Sequence, residues 1–109
     1  MPYFLHQWRY KDTQVKVMIR DAEDRAEIVR LATEAFGGTL HHFFYCFGDH
    51  DGVAVSEFPD QNTALSCVMA ILGQGRVVTI RTTPLFTPEE GLQAMRKAWT
   101  ITGSQGDNP

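Results

Sequence analysis

At 109 residues, with 43% hydrophobic and 21% charged side chains, the chain is sized for one domain with a thin but real core. Its net charge of −3 provides no basic surface able to track a phosphate backbone, which argues against nucleic acid as the main partner. The apolar opening Met1–Leu5 gives way at His6 and Arg9, too soon for a secretory segment or a membrane span.

Tyr3–Tyr10 reads as the first strand. One parity, Phe4, His6, Trp8 and Tyr10, is an aromatic stripe, and the other, Tyr3, Leu5, Gln7 and Arg9, is mixed. Neither parity is plainly solvated, so both faces are expected to be covered, one by helices and one by another subunit. A turn at Lys11–Thr13 leads to a short helical piece over Gln14–Ile19. Asp21 is then the expected N-cap of a longer helix ending at Phe36, with Ala22, Ala26, Val29, Ala32 and Ala35 on its apolar stripe. Glu23, Asp24, Arg25, Glu27 and Arg30 fall on the opposite side of that wheel. Gly37-Gly38 stops the helix.

Gly48-Asp49-His50-Asp51-Gly52 between two aromatic and β-branched runs predicts a hairpin with strands near 39–47 and 52–58. Asp60 or Asn62 caps a helix through Leu72, and Gly73 and Gly75 end it. Val77–Thr83 is the last strand. Thr87-Pro88-Glu89-Glu90 combines an N-cap threonine, a proline at the first position and carboxylates near the positive helix end, so a final helix runs to about Trp99. Residues 1–101 form one domain, and the small, polar stretch 102–109 is expected to be disordered. The order β-α-β-β-α-β plus a C-terminal helix predicts an α+β, ferredoxin-like sandwich: a four-stranded antiparallel sheet with helices on one face.

Four runs carry a resemblance: F-G-D-H-D-G-V-A-V-S-E-F-P-D (Phe47–Asp60), T-T-P-L-F-T-P-E-E-G (Thr82–Gly91), D-R-A-E (Asp24–Glu27) and G-G-T-L-H (Gly37–His41). Together they resemble the GYD domain family, which is similar to the dimeric α/β-barrel superfamily of ferredoxin-like folds. The name-giving motif lies at Gly48, His50 and Asp51, with His50 in place of the usual tyrosine. The resemblance implies an architecture, a pocket and a homodimer or higher homo-oligomer in which two sheets face each other, but it names no reaction. An exposed aromatic sheet face also argues for a second copy.

The candidate chemistry gathers on the hairpin. A histidine–glutamate pair across two strands, ~5 Å apart at Cβ, is within reach of an ionic hydrogen bond and suits general acid–base work. The loop length decides whether His41 or His42 meets Glu57. Tyr45 shares a parity with His41 and Phe43, where its hydroxyl can orient a polar ligand group. His50 and Asp51 in the turn are candidate binding residues, His50 expected to be exposed and Asp51 to bond turn backbone. His6 and Trp8 are expected to line the helix-side cavity. His41 and His42, adjacent on a strand, are expected on opposite faces, so no metal site and no cofactor is foreseen. Cys46 and Cys67 lack C-x-x-C spacing and read as reduced thiols of a cytoplasmic protein, with one disulfide left open. Two functions remain in view: binding of a small apolar or aromatic molecule between sheet and helices, with or without cofactor-independent acid–base chemistry, or a non-catalytic sensor or oligomerisation module.

Overall fold

The computed structural model describes residues 1–103. These form β1 (Tyr3–Tyr10), α1 (Asp12–Asp21), α2 (Arg25–Ala35), β2 (Thr39–Tyr45), β3 (Gly52–Glu57), α3 (Gln61–Gly73), β4 (Val77–Leu85) and α4 (Pro88–Thr102). The sheet is antiparallel, in the order β2-β3-β1-β4, so β1 and β3 lie inside and β2 and β4 are the edges. This is the ferredoxin-like α+β arrangement anticipated from the element order. The anticipated tail lies mostly outside the described residues, and α4 continues to Thr102.

The aromatic parity of β1 faces the helices. Two clusters form the core. One joins Phe4, Phe58, Ala64 and Cys67, with Phe36 and Ile71 against them. The other joins Trp8, Tyr10, Ala54 and Val77, with Met18, Leu40, Phe43 and Ile80 alongside. His6 stands between them on β1. A residue with its Cβ on Gly52 would overlap the Trp8 indole, so the glycine lets that ring lie flat across β3.

Three local readings need correction. The two helical segments expected are both present, but their bounds shift: the first spans Asp12–Asp21 and is ended by Ala22 at a left-handed φ of 49°, and Asp24, not Asp21, caps the second by accepting from the Glu27 amide. Arg25 therefore sits in the first turn of α2, and its wheel position, shared with Val29 and Thr33, faces inward. Second, β2 carries a bulge. Leu40 pairs with Ser56 and His42 with Val55, leaving His41 as an extra residue. The parity reverses there, so His41 and His42 both lie on the face away from the helices. Third, β4 continues through Pro84 to Leu85, which an edge strand tolerates because the missing amide costs no ladder bond.

The other N-caps are as read: Asp60 accepts from the Thr63 amide, and Thr87 with Glu90 forms a complete capping box. None of α4's residues is buried, and Leu92, Met95 and Trp99 recur on it at helical spacing, all exposed.

Candidate functional site

Between the two core clusters lies a cavity walled by β1, β2, β3, β4, α2 and α3. Its volume is about 60 Å³, room for a few waters or a short organic molecule. Trp8, Leu40, Val29, Val68, Ile71 and Ile80 give it apolar walls, while His6, Ser56, Thr33 and Arg25 bring polar groups to it.

His6 is held from both sides. Its Nε2 lies 2.6 Å from Ser56 Oγ on β3 and its Nδ1 3.0 Å from Thr82 Oγ1 on β4. One nitrogen of a neutral imidazole donates and the other accepts, so two hydroxyls satisfy the ring without a charge. Burial pushes the His6 imidazole down to about 4, which keeps it neutral near pH 7 and makes it a weak base. Ser56 itself is 1% exposed.

Arg25 is the cavity's cation. Its side chain is 7% exposed, and its one ion-pair contact is a long one, 3.4 Å from Nη1 to Glu23 Oε2. Arg25 Nε is buried without a hydrogen-bond partner. The guanidinium lies near the Tyr10 hydroxyl; burial raises the Tyr10 phenol above its ordinary value, opposed by Trp8 and by Arg25. The Cys67 thiol, also in the wall, is pushed up to about 11 by burial and stays protonated. Cys46 is exposed and both cysteines are free.

The residues singled out from sequence divide between two sides of the sheet. His6 and Trp8 line the cavity as expected. His41 and Glu57 meet on the open side: His41 Nε2 is 3.0 Å from Glu57 Oε1, with side chains 35% and 22% exposed, and Tyr3 packs beside the imidazole at 5.5 Å. The residue directly across from Glu57 is Thr39; the bulge lets His41 reach the carboxylate diagonally. His42 stacks on Phe44 at 6.2 Å and makes no contact with Glu57 among its hydrogen bonds.

Tyr45 does not share His41's face. It packs edge-on against Phe43, on the helix-facing parity, and is outside the cavity wall. Asp51 takes the structural role assigned to the turn. Its Oδ2 accepts from the Tyr10 amide and its own amide donates to the Trp8 carbonyl, tying the loop to β1. His50, expected to be exposed, is half-buried; its carbonyl accepts from the Cys46 thiol and its side chain is not in the cavity wall. Among the described residues, no three His, Cys, Asp or Glu side chains converge as metal ligands, and no helix is long and apolar enough to cross a membrane.

Arg25, Thr33, Ser56 and Thr82 were not singled out from the sequence. The signal for the first two was present: Arg25, Val29 and Thr33 recur every four residues, so Arg25 belongs on the side of Val29 and not opposite it as the sequence reading has it.

An antiparallel four-stranded sheet, roofed by helices on one side around a largely apolar cavity with a few polar groups, defines a ferredoxin-like domain. A family model described as the GYD domain matches residues 4–95, from β1 into α4, and the chain belongs to that family. No curated protein matches it.

Proposed function

We propose that the protein binds a small, largely apolar molecule in the cavity between sheet and helices, as a homodimer whose copies cover each other's open sheet faces. The observation that carries the binding reading is a cavity lined by buried polar groups inside apolar walls, the usual make-up of a ligand site. Its test is capture and blockage. Native mass spectrometry of the purified protein is expected to detect a small molecule that Val68→Phe, which fills the cavity, displaces. Leu65→Phe, on the exposed side of α3, is expected to leave it bound. Equal retention by both variants would move the molecule elsewhere and end this reading.

The dimer is supported by the open face itself. Tyr3, Leu5, Val53 and Val55 are only half-buried there, Phe44 is 61% exposed, and α4 adds its uncovered Leu92, Met95 and Trp99. A scattering mass of one chain at high concentration excludes this assembly.

A second reading adds acid–base chemistry at His41 and Glu57, favoured by their 3.0 Å contact. In the proposed dimer that pair sits between the sheets. Turnover of the captured molecule that survives both His41→Ala and Glu57→Gln confines the protein to binding, as a sensor or carrier. Two free thiols fit a cytoplasmic setting.

A further inference from the structure

The cavity contains an electrostatic imbalance that the apolar-ligand reading leaves unused. Its wall includes Arg25 and no aspartate or glutamate. A guanidinium keeps its charge and has five donors to place. Here one of them makes a long contact to Glu23, and Nε, fully enclosed, has no partner. A buried donor left empty is costly, and an incompletely paired buried cation more so. Within the wall both His6 nitrogens are engaged by Ser56 and Thr82 and the ring is neutral, so Arg25, with the Tyr10 hydroxyl beside it, is the charged donor that an incoming anion meets.

We propose that the cavity's guest is a short organic carboxylate, whose oxygens accept from the Arg25 guanidinium while its apolar body rests among Trp8, Val29, Val68 and Ile71. This rests on the cavity being the binding site and names the chemistry of what it takes. The planar fork of arginine matches two carboxylate oxygens, giving paired, charge-assisted hydrogen bonds. The space, about 60 Å³, suits an acid of a few carbons and not an extended chain. A single cation balances one carboxylate, whereas a phosphate dianion would keep an uncompensated charge in an apolar cavity. Glu23 is the built-in competitor, since its carboxylate already approaches Nη1.

Butanoate and butanamide, nearly equal in shape, separate charge from fit. Each is titrated at pH 7 into ¹⁵N-labelled protein while the indole cross-peaks of Trp8 and Trp99 are followed. Trp8 lines the cavity; Trp99 lies exposed on α4 and serves as an internal control. Butanoate is expected to move the Trp8 signal alone, with at least about tenfold higher affinity than butanamide. Arg25→Met is expected to erase that preference, Arg25→Lys to retain part of it, and Glu23→Gln to tighten butanoate by removing the competitor.

Equal affinity for acid and amide in the wild-type chain overturns the carboxylate anchor while leaving the cavity a binding site. A Trp8 signal that moves with neither probe also overturns the anchor. The cavity reading falls with it only if Val68→Phe displaces no captured molecule. The acid–amide comparison needs no variant, so a misfolded Arg25→Met cannot obscure the result.

Discussion

The two faces of the one sheet use similar residues for different ends. Toward the helices, β1 presents Phe4, His6, Trp8 and Tyr10, and three of these four are buried. Toward the open side it presents Tyr3, Leu5, Gln7 and Arg9, none of them buried. Each face has a histidine bonded to a side chain of β3. On the covered face the partner is a hydroxyl and burial keeps His6 neutral. On the open face the partner is a carboxylate, and the His41–Glu57 pair is within reach of water. Residue type does not decide what a histidine does here; the layer above it does. The polar groups under the helices are therefore expected to control stability and selectivity, and those on the other face to matter once something lies over them.

The sharpest way to break this comparison is to disturb the covered face where it has no slack. Gly52→Ala drives a methyl group into the Trp8 indole, which packs against Tyr10 and Phe43 and can give way only by leaving those contacts for the cavity. A loss of about 3 kcal/mol by urea denaturation is expected. Gly73→Ala, with nothing near its added methyl group, is the control and should be neutral or slightly stabilising. Equal outcomes would mean that the covered face yields easily and that its cavity has no fixed shape.

A smaller effect comes from acid. The His6 imidazole titrates near 4 in the folded chain and near 6.5 unfolded, so the unfolded chain takes up more protons between those values. The stability this residue contributes is complete above about pH 6.5 and declines as pH falls toward 4. Between pH 7.5 and 4.5 the wild type should lose about 2 kcal/mol more than His6→Gln. Parallel pH profiles would show that His6 is as wet as the open-face histidines.

The element order, every strand and two of the helix caps were legible because they depend on local signals: alternating aromatics in Tyr3–Tyr10, turn formers at Gly48–Gly52, and the capping box at Thr87–Glu90. The cavity was half legible. His6 and Trp8 could be placed in it from strand parity alone. Arg25 was masked because a charged residue beside Glu23, Asp24 and Glu27 resembles a solvated helix face, although its four-residue spacing from Val29 and Thr33 puts it on the inward side. The hairpin pair failed for a related reason. Strand parity is reliable until one extra residue enters, and no feature of Leu40-His41-His42 announces the bulge that puts both histidines on one side. Tyr45 was assigned His41's face by the same unbroken alternation.

Glu57→Gln is expected to have the smallest effect in a single chain and to be the most informative about assembly. With side chains 35% and 22% exposed, the His41–Glu57 contact is partly screened by water, and losing it should cost no more than about 1 kcal/mol in dilute protein. If a second copy covers the open face, the same substitution leaves His41 facing an uncharged amide inside an interface, where an unmatched polar group costs several times more. Association contributes to stability by mass action, so the penalty should then grow with protein concentration. Denaturation of wild type and Glu57→Gln over a hundredfold range of concentration separates the two cases. A penalty that rises with concentration puts the pair between two sheets and makes the molecule's two faces alike in being covered. A flat penalty leaves His41 and Glu57 in water and places any recognition chemistry under the helices alone.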